Sequence, residues 1–572
     1  MIVLGIHDGH NAAACLLMDG KVMGAVQEER FSRIKNHDGF PFKSVEFLLR
    51  GQGIDPKDVD CVSLNGRHMP FPRTRADLLE QFKKSGTTVS GLKRVLRHTP
   101  VNLLFRKVRK NTRLQRLREA GFGEGQAVFI EHHTAHAAAA FWGSPWRSGR
   151  VLVLTCDAAG DDLCGSASVW EEGRMGRIVA IPESHSLGMV YAMVTFLMGM
   201  VPNEHEYKLM GLAPYCRRED AERVASRLRR LLCFPQNGTL GWVRGRGVPD
   251  LFLSFGFLRE LLELERMDAV AGGLQKWTEE ILTGWVARCV QRTGISRVAL
   301  SGGVFMNVKS NQAIAFLPEV RELFVFPSCG DESNSFGAAF AAYADRKRAD
   351  EPPIQPLGNL YLGPESTESE IEKVLLETGE CYDVRRPPDI TEQIADLLAS
   401  GEIVARFHGR TEFGARALGN RSILADPQRM ETVRRINEMI KSRDFWMPFA
   451  VSINREYESK YIHNPKQIPA PYMMITFPTT SLADEIRAGI HAYDETVRPQ
   501  LLERSWNPEY HRIIEAFCAR TGRGAVLNTS FNLHGSPIVN SPQDAMDVFA
   551  RSGLQHVAIG SYLVSKAEPA SD

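Results

Sequence analysis

The stretch Glu131-His132-His133-Thr134-Ala135-His136-Ala137 opens an alanine-rich run that continues to Ala140. Alanine is the strongest helix former, so the sequence predicts a helix here. His132 and His136 then share one helix face, while His133 points elsewhere. Two imidazoles stacked in this way can share one divalent ion. On spacing alone, a pair of core or surface histidines would read the same. Two carboxylates make the difference. The apolar run 151–154 leads into Thr155-Cys156-Asp157, and the run 323–326 leads into Pro327-Ser328-Cys329-Gly330-Asp331. An aspartate just past the C-terminal end of a buried strand is where open α/β sheets put ligand sites. Two histidines and two such aspartates make a nitrogen and oxygen shell suited to Fe(II), Mn(II) or Zn(II).

A second set of candidates is cationic. The run 403–408 reads as a strand and leads into a loop holding Arg410, Arg416 and Arg421 among Gly409, Gly414 and Gly419. Arginine forks grip phosphate with two parallel bonds, and glycines admit a ligand to the backbone. Lys441, Arg443 and Arg498 add positive charge, and the polar loop Asn528-Thr529-Ser530-Phe531-Asn532 adds uncharged donors. Anion binding is the expected role. A third set suits a nucleotide. The strand-like run 297–300 enters Ser301-Gly302-Gly303, followed by Asn307, and strand, glycine pair, helix is a phosphate-cradling order. Lys208, flanked by carboxylates and followed by Gly211, either holds a nucleotide phosphate or merely sits at a helix start. The charged cluster Glu28-Glu29-Arg30-Phe31-Ser32-Arg33 reads as the solvated start of a helix.

These groups need elements to position them. Residues 2–6, 12–18 and 21–27 predict a β-meander, turned at Asp19-Gly20 and carrying polar groups in its first turn, Asp8-Gly9-His10-Asn11. The run 151–156 followed by 165–170 and 176–181 predicts a second meander, which suggests internal duplication. Helices are expected over 44–51, 74–84, 268–293 and 390–398, the third closed by Gly294. Glu351-Pro352-Pro353-Ile354-Gln355-Pro356 reads as a linker.

Bulk properties exclude more than they assign. A chain of 572 residues suggests two to four domains, and a formal net charge of +1 gives no reason to expect nucleic acid or an anionic membrane as partner. Ten cations between Lys93 and Arg118 read as a solvated helical insertion. Ten scattered cysteines without a CxxC pair fit reduced thiols and a cytoplasmic protein. The N-terminus lacks the features of a signal peptide. The longest apolar stretch, 189–201, is too short to span a bilayer and predicts a buried helix.

Several motifs are specific enough to carry a family resemblance: His10-Asn11-Ala12-Ala13-Ala14, Glu28-Glu29-Arg30-Phe31, the His132 and His136 pair, Lys208-Leu209-Met210-Gly211-Leu212-Ala213, Ser301-Gly302-Gly303, and the run from Gly414 to Ser422. Lys441-x-Arg443 and Ser530-x-Asn532 complete them. In this order they resemble the NodU/CmcH-type O-carbamoyltransferases. The resemblance implies an α/β protein: a duplicated actin-like, Hsp70-like ATPase (Kae1-like) domain over 1–350, a linker over 351–360, and an α/β YrdC-like domain over 361–572. It implies His132, His136, Asp157 and Asp331 as metal ligands, with Fe(II) the expected ion. ATP, with Mg(II), would meet Lys208, Gly211, Gly302, Gly303 and Asn307. Carbamoyl phosphate would meet Arg416, Lys441, Arg443, Arg498, Asn528, Ser530 and Asn532. His10 would take the proton of a hydroxyl on a small-molecule acceptor, as a group titrating near neutrality can. The implied route runs through carbamoyl adenylate. The related threonylcarbamoyl modification of tRNA is the alternative, and the chain would act as a monomer or homodimer. Two positions depart from the pattern. Met447 stands where an arginine usually precedes Pro448-Phe449-Ala450, so one phosphate contact is expected either to be missing or to come from Arg443 or Arg421. Cys216 replaces a common glycine after Pro214-Tyr215.

Overall fold

Asp19 and Gly20 both take positive φ, 46° and 76°, as a type I′ turn demands. They join strands β2 (Ala13–Met18) and β3 (Lys21–Gln27), and β2 pairs antiparallel with β1 (Ile2–His7). Parallel strands β4 (Cys61–Asn65) and β5 (Ala127–Ile130) extend the sheet on the other side of β1, in the order β3-β2-β1-β4-β5. A second sheet repeats the plan. Its meander is β6 (Val151–Gly160), β7 (Leu163–Glu171) and β8 (Arg174–Pro182). Parallel strands β9 (Arg297–Ser301) and β10 (Glu322–Val325) complete the order β8-β7-β6-β9-β10. The duplication expected from the two meanders thus extends to all five strands. The central strands are apolar throughout, with Val3, Leu4, Ile6, Val298, Ala299 and Leu300 wholly buried, because helices cover both faces of a parallel sheet.

The computed structural model describes residues 1–69, 74–84, 100–378 and 381–566. They divide into two units: Met1–Glu28 with Asn36–Leu357, and Glu29–Lys35 with the chain from Gly358 onward. The second unit is an eight-stranded mixed sheet. Its strands are β11 (Tyr382–Arg385), β12 (Val404–Phe407), β13 (Arg421–Ala425), β14 (Ala450–Asn454), β15 (Pro499–Leu502), β16 (Ala525–Ser530), β17 (His556–Ile559) and β18 (Tyr562–Lys566). They run in the order β11-β18-β17-β12-β13-β16-β14-β15. Helices Ile390–Ala399 and Pro508–Thr521 pack on it through Ile394, Leu398, Ile513, Ile514 and Phe517. The linker-like segment is tied down. Ile354 is buried, and the Gln355 backbone N–H donates to the carbonyl of Gly20 at 2.8 Å.

Two expectations about charge are corrected. The cluster at Glu28 is not solvated: Glu28, Glu29 and Arg30 are all buried. Glu28 accepts hydrogen bonds from the backbone of Lys43 and Ser44 and from the Ser44 hydroxyl, closing the start of helix Phe42–Arg50. The basic stretch does form a helix, Pro100–Glu119, although Lys93, Arg94 and Arg97 lie outside the described residues. Within it Arg113 is buried. It forks onto both oxygens of Asp8 at 2.7 Å and donates to the carbonyls of Asn65 and Gly66. A cation read as solvent-facing therefore braces the turn that carries His10. Among the described residues no helix is long and apolar enough to cross a membrane.

The helices His132–Gly143 and Asn334–Arg346 touch at one point that only glycine permits. A Cβ at Gly337 would lie 1.8 Å from the carbonyl oxygen of Ala135. Gly337→Ala should destabilise the chain by on the order of 3 kcal/mol, measured by chemical denaturation, because two backbones must separate. Wild-type stability would show that the contact is loose.

Candidate active site

The histidine helix starts where Glu131 accepts hydrogen bonds from the backbone of His133 and Thr134. Asp161 accepts from the His132 N–H at 2.8 Å and from the backbone of Arg67 and His68, so three segments meet at one carboxylate. Asp157 does not follow its strand but lies within it, where the β6–β7 register shifts between Cys156 and Gly160. That irregularity re-aims its side chain, as bulges do. Asp331 opens the short turn Asp331–Ser333 after β10.

These four residues converge. His132 Nε2 lies 3.4 Å from Asp157 Oδ2 and 3.4 Å from Asp331 Oδ1. His136 Nε2 lies 3.1 Å and 3.6 Å from the same two atoms. One donor atom from each residue fits within a 4.8 Å span. Burial disfavours a charged ring, yet the carboxylates of Asp331 and Asp157 push His132 up to about 9. Asp157, buried but bonded by both imidazoles, is held well below the carboxylate range. Asp331 Oδ1 is buried and accepts no hydrogen bond, while 28% of its side chain stays exposed. An orphaned carboxylate oxygen facing two imidazole nitrogens is a donor set that a divalent ion of the iron, manganese or zinc class fits. The partial exposure leaves one side open to a substrate.

His133 is turned away. It is fully buried, 2.8 Å from the Thr155 hydroxyl through Nδ1, and burial with the neighbouring imidazoles holds it down at about 3. Besides Ser301, which opens the Ser-Gly-Gly motif, the groups Ser333, Asn65 and His7 surround the nest and carried no motif. His136 Nδ1 lies 3.2 Å from Ser301 Oγ and 3.3 Å from Ser333 Oγ, which orients Nε2 toward the carboxylates. Asn65 approaches both His7 Nδ1, at 3.0 Å, and His132 Nδ1, at 3.4 Å. His7, Asn65 and Ser301 are each the last residue of a buried strand. A polar residue ending an apolar strand was the signal that could have found them.

The glycine turn lies against the same nest. Gly302 has φ +108°, and a Cβ there would meet the Cys156 carbonyl at 2.3 Å; one at Gly303 would meet Asp157 Oδ1 at 3.0 Å. Asn307 caps helix Val308–Ala315 and exchanges amide hydrogen bonds with Gln275, of 2.8 Å and 3.1 Å. Lys208 and Gly211 sit on helix Glu206–Leu212, which packs on the long helix Met267–Thr293 that carries Gln275. Cys216 is buried against Gly272 of that helix. His10 is half-buried, and its ring has no hydrogen-bond partner among the described residues.

In the second unit, Lys441 is buried and donates to the carbonyl of Asn532 and to Asn532 Oδ1, at 3.1 Å and 2.8 Å. Arg443 donates to the Thr529 hydroxyl at 3.0 Å and lies over the Phe449 ring. Burial, then the charges of Arg416 and Arg443, press Arg498 well below its ordinary range. Burial, then Arg443 and Lys35, do the same to Lys441. A guanidinium stays charged regardless, so proton loss does not relieve the crowding at Arg498, as it can at Lys441. The other loop arginines are engaged elsewhere. Arg421 donates to the carbonyls of His408 and Gly409 and stacks on Phe407, so its guanidinium is spent on the protein's own backbone and a ring. Arg410 bonds the carbonyls of Leu362 and Gly363. Asn528 faces inward and holds the loop from beneath, donating to the Ala417 carbonyl at 3.2 Å and the Ser452 hydroxyl at 2.9 Å.

The first unit thus carries a nitrogen and oxygen nest, and the second carries several buried cations. Family models match both: carbamoyltransferase N-terminus matches residues 2–340, and carbamoyltransferase C-terminus matches 395–566. The nodulation protein NolNO of Sinorhizobium fredii is 31% identical over 97% of this chain and 79% of its own. Nodulation protein U of Bradyrhizobium diazoefficiens is 25% identical over 94% and 92%. The 3′-hydroxymethylcephem-O-carbamoyltransferase of Amycolatopsis lactamdurans is 30% identical over 48% of this chain and 49% of that one. The chain belongs to the carbamoyltransferase family, in its NodU/CmcH branch, and is a transferase.

His132→Ala should lose bound metal and transfer activity together. His133→Ala should keep its metal and lose only about 2 kcal/mol of stability. Metal analysis of the two purified variants checks this, and metal retained by the first would refute the ligand assignment.

Proposed function

We propose that the protein is an ATP-dependent O-carbamoyltransferase that moves the carbamoyl group of carbamoyl phosphate to a hydroxyl of a small-molecule acceptor. The observation that carries the reading is that Arg416 and Arg443 lie near Arg498, and Arg443 near Lys441, in a chain of this family. The second unit, read as YrdC-like, would bind carbamoyl phosphate there, with Ser530 and Asn532 completing the polar lining. The first unit, read as a duplicated actin-like ATPase domain, would bind ATP at the glycine turn, with Gly303 offering its backbone N–H to phosphate while that of Gly302 is held by the Cys329 carbonyl at 2.9 Å. The repeated strand order supports that reading.

The chemistry has three balanced steps. Water releases carbamate and phosphate from carbamoyl phosphate. A carbamate oxygen attacks the α-phosphorus of ATP and expels pyrophosphate. The acceptor oxygen then attacks the carbamoyl carbon, AMP departs, and His10 takes the hydroxyl proton. Adenylylation is needed because carbamate itself is a poor electrophile with a poor leaving group. His132, His136, Asp157 and Asp331 would hold an iron-class ion, which supplies positive charge for phosphate oxygens.

Product analysis with carbamoyl phosphate and a hydroxylated acceptor should show AMP and pyrophosphate formed in equal amounts. ATP going only to ADP would sink the adenylate route. Lys441→Ala should abolish use of carbamoyl phosphate while metal stays bound, and an unchanged rate would remove the second unit from the chemistry.

The same lysine gives a pH dependence. Its ammonium is held below its ordinary range by burial and by Arg443 and Lys35, and a bound dianion favours the charged form. KM for carbamoyl phosphate should therefore rise as pH climbs through the depressed lysine value. Lys441→Arg should flatten that rise, and a wild-type profile without it would refute the lysine's role.

A further inference from the structure

The segment Glu29–Lys35 belongs to the second unit although the chain on both sides of it belongs to the first. It forms one helical turn, Glu29–Ser32, and its two arginines face different loops. Arg30 is 1% exposed and donates to the carbonyl of Gly414 at 2.6 Å, while its other arm bonds Glu29. Gly414 has φ +97° and lies two residues before Arg416. Arg33 donates to the carbonyls of Ile538 and Pro537, at 2.7 Å and 3.2 Å, and pairs with Asp544 at 3.4 Å. Those carbonyls end the loop that starts at Ser530 and is folded by Asn532, whose amide donates to the carbonyls of Leu533 and Ser536. One short helix therefore grips both the turn that presents Arg416 and the turn that presents Asn532.

Such grips set distance. The two turns leave different strands, β12 and β16, and a phosphate oxygen can be bonded from both only if their separation is fixed to well under an ångström. Arg30, buried and bonded to a carbonyl and a carboxylate, is a rigid spacer, because unpairing a donor in the interior costs about 1–3 kcal/mol. Arg33, 30% exposed, holds its turn through two carbonyls and Asp544. We infer that Glu29–Lys35 is a clasp in which Arg30 and Arg33, as positioning residues, hold the Arg416 and Asn532 turns at the spacing that carbamoyl phosphate requires. The inference rests on the reading of this chamber as the carbamoyl phosphate site.

The test uses the full-length chain and the variants Arg30→Met, Arg30→Lys, Arg33→Met and Lys441→Ala. Binding of carbamoyl phosphate is measured by calorimetry, with KM for carbamoyl phosphate and for ATP, metal content and thermal melting alongside. Arg30→Met and Arg33→Met should each weaken carbamoyl phosphate binding and raise its KM by about tenfold or more. KM for ATP and metal content should stay at wild-type values, which a general loss of structure would not allow. Arg30→Lys, which keeps one donor for Gly414, should recover part of the loss. Unchanged carbamoyl phosphate binding in both methionine variants would overturn the clasp. So would a parallel loss of metal and of ATP use. If the wild-type chain fails to bind carbamoyl phosphate, or Lys441→Ala binds it normally, the parent reading of the chamber fails and the clasp with it.

Discussion

Two carboxylates held within reach of one another repel unless positive charge lies between them. Asp157 and Asp331 are in that position, and the first unit is arranged so that His132 and His136 answer them. The four come from three separate pieces of backbone: a capped helix, a strand with a shifted register and a turn after another strand. Their convergence therefore requires the helices behind them to meet closely, which the Gly337–Ala135 contact allows. Asp161 ties the start of the histidine helix to residues 67 and 68, and Arg113 braces the opposite turn through Asp8. The nest is the point at which tolerance to rearrangement is smallest.

Much of this could be read from the sequence because its signals are local. The type I′ turn at Asp19-Gly20, the helix closed by Gly294 at φ +68° and the alanine-rich histidine helix all follow from neighbouring residues. The four acidic and imidazole candidates were legible for the same reason: each sits in or directly after a recognisable element, although Asp157 falls inside its strand rather than past its end. Charge was less legible. Arg113 and Asp8 are 105 residues apart, and Arg30 and Gly414 are 384 apart. No local pattern distinguishes a cation with such a partner from one facing water. Arg421 misleads in the same way, because its stack on Phe407 and its carbonyl partners depend on how β12 and β13 pair.

The second unit uses the opposite electrostatic design. Its cations crowd one another, and their ordinary state is disturbed by burial as much as by like charge. Glu412, the nearest loop carboxylate in sequence, does not compensate them. It accepts from the backbone N–H groups of Leu418, Asn420 and Arg421, and so shapes the loop instead.

The route of the chain has a consequence for engineering and for descent. Because residues 29–35 lie with the part that follows Gly358, the polypeptide passes from one body to the other three times rather than once. Splitting the gene near that glycine, or splicing the C-terminal part onto a different N-terminal partner, would separate seven residues from the body they complete. Recombinants between relatives should thus work best when both segments come from the same parent, and natural fission into independent polypeptides is disfavoured.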